Sequence, residues 1–151
     1  MLTYEDMVQL FPSKKKFVDP SIHFHTVSAF SHYSQPKGIF IPLYHDSGEL
    51  QEAIANGAIG TLWECDNALP SYMPNHFFVF YVNDLWKGLK NMLEKYHEII
   101  MSNDQGNYTR FLLENESNLN KMNQPSDIPS LIKMVKKMQM ELNNGGRDLN
   151  C

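Results

Sequence analysis

The chain has little cysteine. Its 151 residues include two, Cys65 and Cys151, too few for a disulfide framework and without the spacing of a metal knuckle. A reduced, cytoplasmic setting is therefore the expectation. No run of roughly 18 apolar residues occurs, so no membrane-spanning helix is expected. The opening MLTYEDMVQLFPSKKK mixes acids with lysines where a secretory leader would have a basic start and an apolar centre. Cations are also scarce: 13 Lys and Arg stand against 17 Asp and Glu, a formal charge of -4. No basic block is present to track a phosphate backbone, which argues against nucleic acid as a partner. Internal repeats are absent. What is present is 42% hydrophobic and 12% aromatic residues, enough for one ordinary core with some chain left over.

Local signals then place the elements. Thr3 followed by Asp6 forms a variant capping box, and Met7, Leu10 and Phe11 share one face, so a helix is expected over 4–11. Residues 22–30 and 38–43 read as strands joined by the polar turn SHYSQPK. Asp46 or Ser47 is positioned to cap a helix carrying Leu50, Ala53 and Ile54, which Asn56 and Gly57 end. Ile59 to Glu64 returns as a strand, and a strand, short helix and strand with short joins make a parallel βαβ unit. His76 to Val82 is apolar without clean alternation, the pattern of a central strand covered on both faces. Asn83 is then expected to cap a helix whose Leu85, Leu89, Met92, Leu93, Tyr96 and Ile100 form one stripe.

These elements predict an α/β fold, a small, largely parallel or mixed sheet flanked by helices, with a C-terminal helix added. Residues 1–102 are read as the α/β domain and 103–126, rich in Asn and Ser apart from the small cluster Phe111, Leu112 and Leu113, as a mobile or loosely docked connector. Residues 127–144 are read as an amphipathic helix and 145–151 as a disordered tail. The helix carries Leu131, Ile132, Val135, Met138 and Leu142 on its apolar face. That face either packs back on the domain or meets a protein partner or a second copy.

The stretch from Pro36 to Leu89 adds a family signal. Ser28-Ala29-Phe30-Ser31-His32, with Pro36 and Phe40, resembles the opening Ser-x-Asp-Ser-Arg, Pro-Gly-Asp and Phe pattern of Mur ligase N-terminal domains of the MurE and MurF types. These enzymes add amino acids to UDP-muramyl peptides. Ala53, Gly57 and Ala58 are similar to the family's A-x-x-x-G-A helix end, and Val82, Asp84, Lys87 and Leu89 to its V-x-D-x-x-K-A-L helix start. The family's Asp-Gly-His is replaced by His45-Asp46-Ser47, or is shifted so that Asp46 aligns. The resemblance covers roughly the first 100 residues, one domain-sized unit. Phe30 and His32 replace the family's Asp and Arg, a charged pair that lies by the uridine end of the nucleotide in the relatives. No Gly-Lys-Thr or Gly-Lys-Ser loop occurs, so the resemblance implies binding without the ligase's ATP chemistry.

The resemblance implies Ser28, Ser31, His32, Pro36 and Asp46 as ligand-facing residues, with a UDP-muramyl or other uridine-containing compound as ligand. The plain reading of the same serines is a turn bonding its own backbone. His23 and His25 share a strand face, but nothing fixes a third ligand, and no metal or cofactor is predicted. Cys65 has no evident base and reads as a structural or incidental thiol. No catalytic residue is predicted. Two functions follow as expectations: a non-catalytic module binding a nucleotide-sugar precursor or a cell-wall enzyme, or an interaction or self-associating module whose ligand cleft has decayed.

Overall fold

The structure is a computed structural model, and it describes residues 1–11, 22–71, 73–74, 77–102, 108–113 and 128–142. In chain order the elements are β1 (Leu2–Thr3), α1 (Tyr4–Leu10), β2 (His23–Phe24), β3 (Thr26–Ser28), β4 (Gly38–Phe40) and α2 (Leu50–Ala55). They continue as β5 (Ala58–Glu64), β6 (Phe78–Val82), α3 (Leu85–Ser102), β7 (Arg110–Leu112) and α4 (Ile128–Leu142).

Five strands form one parallel sheet in the order β6-β5-β4-β3-β7, while β1 and β2 pair antiparallel as a separate ribbon. This is the α/β architecture with flanking helices and a C-terminal helix that the pattern of elements predicts. The chain steps from β3 through β6 in one direction, then returns to place β7 on the other side of β3. One face of the sheet, carrying Val27, Ile39, Leu62 and Phe80, is covered by α1 and α3, with α4 packed on α3. The other face carries Phe40 and Ala58 and is covered mainly by the short α2 through Leu50 and Ala53. Among the described residues, no helix is long and apolar enough to cross a membrane.

The local signals behave as their chemistry requires. The Thr3 hydroxyl accepts from the Asp6 amide at 3.2 Å and the Asp6 carboxylate accepts from the Thr3 amide at 3.1 Å, completing the capping box of α1. Asn56 caps the end of α2, and Gly57 follows at φ 115°, a conformation that costs a side-chain-bearing residue energy. The α3 stripe buries Leu85, Leu89, Met92, Leu93 and Tyr96, with Ile100 half-buried.

Four expectations need correction. β7 lies inside the span read as connector, and Phe111, Leu112 and Leu113 are buried beside β3, so the folded unit does not end at 102. A three-residue strand in a polar stretch carries too little periodicity to be read. β6 is an edge strand, not a central one. Its alternation is masked because Phe78, Phe80 and Val82 face one side while Val79 and Tyr81 are half-buried on the other. Glu49, not Asp46 or Ser47, stands at the N-cap of α2, without a side-chain cap bond. Ahead of α3 the carboxylate of Asp84, not Asn83, accepts from the amides of Trp86 and Lys87 at 2.9 and 3.3 Å.

Late and early segments are tied together at Thr109. Its amide donates to the Tyr96 hydroxyl at 3.0 Å, and its own hydroxyl donates to the Phe24 carbonyl at 2.8 Å. The same hydroxyl accepts from the Leu2 amide at 3.0 Å. Burial pushes the Tyr96 phenol up to about 12, so it stays neutral at ordinary pH. Outside the sheet, α4 docks along α3 with Leu131 and Val135 fully buried. The Lys136 to Glu94 pair at 3.7 Å across this contact is solvent-exposed and contributes little. The expected disordered tail at 145–151 and most of the expected connector lie outside the described residues.

Candidate functional site

In an open parallel sheet, ligands gather beyond the carboxyl ends of the strands, at the point where the strand order reverses. Here that point lies between β3 and β7. The segments that reach it are 29–37 after β3, 41–49 after β4, and Leu113 after β7.

Aromatic rings occupy this position. Phe30, which is 5% exposed, stacks on Tyr44 at 5.4 Å and 20°. Tyr44 meets Trp86 edge-on at 5.5 Å, and Tyr33 meets Phe30 at 5.4 Å. The Tyr44 hydroxyl donates to the Leu113 carbonyl at 2.9 Å, so one side chain spans the ends of β4 and β7. Such ring pairs are worth about 0.5–1.5 kcal/mol each beyond the area they bury.

The serines expected to face a ligand turn inward. Ser28 is fully buried; its hydroxyl donates to the Phe30 carbonyl at 2.8 Å and accepts from the Phe30 amide at 3.1 Å. Ser31 is 1% exposed and held at three atoms. Its amide donates to the Ser47 carbonyl at 2.7 Å, its hydroxyl donates to the Glu52 carboxylate at 2.5 Å, and its carbonyl accepts from the Asn56 side chain at 2.7 Å. Gly48, at φ 95°, lies directly over that hydroxyl, and a β-carbon there would fall 1.9 Å from Ser31 Oγ. Ser28 therefore follows the plain reading of a turn serine bonding its own backbone, whereas the Ser31 hydroxyl is bound to a side chain of α2. His32, Pro36 and Asp46 are exposed, so the five expected ligand residues divide into two buried and three at the surface.

The sequence marks Ser47 and Asn56 only as helix-end residues and gives no sign of Gln35 or Glu52. The Ser47 hydroxyl accepts from the Tyr44 amide at 2.9 Å, which fixes the loop beneath the stacked ring. Gln35 is fully buried and its amide group donates to the Phe30 and Tyr33 carbonyls at 3.0 and 3.1 Å. Gln35 Oε1 has no hydrogen-bond partner. Glu52 and Asn56 act on Ser31 in another loop, which no local spacing reveals.

Elsewhere, Glu64 at the end of β5 is held above the usual carboxylate range, first by burial and then by the negative charges of Asp66 and Asp84. Cys65, read from the sequence as a structural or incidental cysteine, is disulfide-bonded; Cys151 lies outside the described residues. A cavity of about 370 Å³ lies away from the sheet edge, against α3 and α4, and His97, Ser130, Lys133 and Lys136 are among its lining residues. Among the described residues no cluster of His, Cys, Asp or Glu could hold a metal ion. Of the residues expected to meet a partner, Leu131 and Val135 are buried against their own chain and Ile132 is half-buried. The side chains of Met138 and Leu142 lie outside the described residues. Comparison with family models, with curated proteins and with solved structures returns no match for this chain.

Proposed function

We propose that the protein is a non-catalytic binding module that acts on protein partners, built on a frame like that of the Mur ligase substrate-recognition domain whose nucleotide crevice has been filled. The observation that carries this reading is the cluster of rings, Phe30 stacked on Tyr44 and Trp86 edge-on to it, at the reversal point between β3 and β7. A large apolar ring at position 30 occupies the place where the related enzymes have an acid. A uridine-containing ligand would need the hydroxyls of Ser28 and Ser31, and both are committed to Phe30 and Glu52. Withdrawing a buried hydroxyl from such a bond without replacing it costs about 1–3 kcal/mol, which a weakly held ligand does not return.

Calorimetric titration with UDP and with UDP-N-acetylmuramyl compounds tests the proposal. No saturable heat at millimolar ligand is expected. Saturable, uridine-dependent binding that disappears in Ser31→Ala would overturn it and restore the nucleotide-sugar reading.

A further inference from the structure

We propose that β6 is a docking edge for a second copy of the chain, the two β6 strands pairing antiparallel about a two-fold axis at Phe80. This names the partner in the protein-binding reading above and rests on that reading.

The register of β5 with β6 decides which backbone groups are free. Gly60, Leu62 and Glu64 lie opposite Phe78, Phe80 and Val82, and the Cys65 amide donates to the Val82 carbonyl at 3.0 Å. In a parallel ladder alternate residues bond to the same neighbour. Phe78, Phe80 and Val82 therefore turn their amides and carbonyls toward β5, and Val79 and Tyr81 turn theirs away from the sheet. Among the described residues nothing pairs with that outer side.

Edge strands are ordinarily protected by a charge, a proline, a bulge or extreme shortness. β6, Phe-Val-Phe-Tyr-Val, has none of these over five residues. The opposite edge, β7, is three residues long and carries the exposed Arg110. The contrast assigns one edge to solvent and the other to a partner.

The chemistry of β6 favours a copy of the same strand. With the axis at Phe80, Val79 of one chain faces Tyr81 of the other, and each exchanges amide and carbonyl with its opposite. A β-branched residue across from an aromatic one is a favourable cross-strand pair, and symmetry supplies it twice. Trp63 lies in register with Tyr81 on the same half-exposed face and extends the apolar surface. The acids Glu64, Asp66 and Asp84 lie together near the carboxyl ends of β5 and β6. Antiparallel pairing sends the two acidic groups to opposite ends of the joint, whereas a parallel arrangement would bring them together. An antiparallel strand added at the edge of a parallel sheet is a common arrangement.

The test is sedimentation equilibrium of the full chain from micromolar to millimolar concentration, with amide exchange measured on the same samples. The expected result is a rise from 17.5 kDa toward twice that mass. Exchange at Val79 and Tyr81 should slow in step with it. Val79→Pro, which removes an outward amide and leaves the β5 ladder intact, and Tyr81→Lys should each return the protein to monomer with an unchanged circular dichroism spectrum. A chain that stays at 17.5 kDa throughout, or a dimer that survives both variants, would overturn the β6 pairing. Should a variant fail to fold, exchange at the two amides in the unaltered chain still decides, because concentration-independent exchange overturns it as well. The nucleotide titration is separate, so a monomer that takes no uridine compound defeats the pairing and leaves the protein-binding reading in place.

Discussion

Glu64 shows how one side chain can work against the fold that holds it. Its carboxyl is half-buried at the end of β5 and shares its surroundings with Asp66 and Asp84, so folding disfavours its ionised form relative to the unfolded chain. A carboxyl whose folded pKa lies above its unfolded one costs stability when ionised. That cost is absent below the ordinary carboxylate range and grows as pH rises through the unfolded value toward the raised one. Glu64→Gln is accordingly expected to raise the melting temperature at neutral pH and to leave it unchanged in acid, as read by thermal melts across that range. Ser31 is the opposite case, a polar residue whose every partner is in place. Because its partners Ser47, Glu52 and Asn56 come from the next loop and helix, nothing in the sequence around it distinguished a buried strut from a ligand contact.

Among the elements, α4 depends most on what it packs against, since a helix of 15 residues is marginal alone in water. Leu131 and Val135 anchor it on α3, and Leu131→Ala should cost about 2–5 kcal/mol. Chemical denaturation measures the loss, and a cost near zero would mean that the helix is displaced from the domain. The helices were the legible part of the sequence. The Thr3 and Asp6 box and the α3 stripe each rest on contacts within a few residues, so local pattern specifies them. Strands were less legible because their meaning depends on neighbours. The absence of alternation in β6 reflects partial cover on two faces and was mistaken for a central position, while β7 is ordered by β3 rather than by its own composition. The caps shifted by one to three residues for a related reason: Ser47 bonds Tyr44, leaving Glu49 to open α2.

At the level of the whole molecule, the folded unit runs past the boundary that composition suggests. Phe111, Leu112 and Leu113 are buried, β7 covers the outer edge of β3, and Thr109 holds the amino-terminal ribbon. A chain ending at Ser102 should therefore lose cooperative thermal unfolding by circular dichroism, whereas a melt matching that of the full chain would show that the first 102 residues suffice. Of the candidate site, the sequence marked only the turn from Ser28 to Pro36 and Asp46. Its contents, stacked rings over sealed serines, depend on Tyr44 and Trp86 arriving from separate segments. The bond from Leu2 to Thr109 joins groups 107 residues apart. Chain closure over so long a span is entropically slow. During translation the first strand must wait for nearly the last one to leave the ribosome, and until then β3 emerges with a bare flank, a natural substrate for chaperones that guard nascent polypeptides.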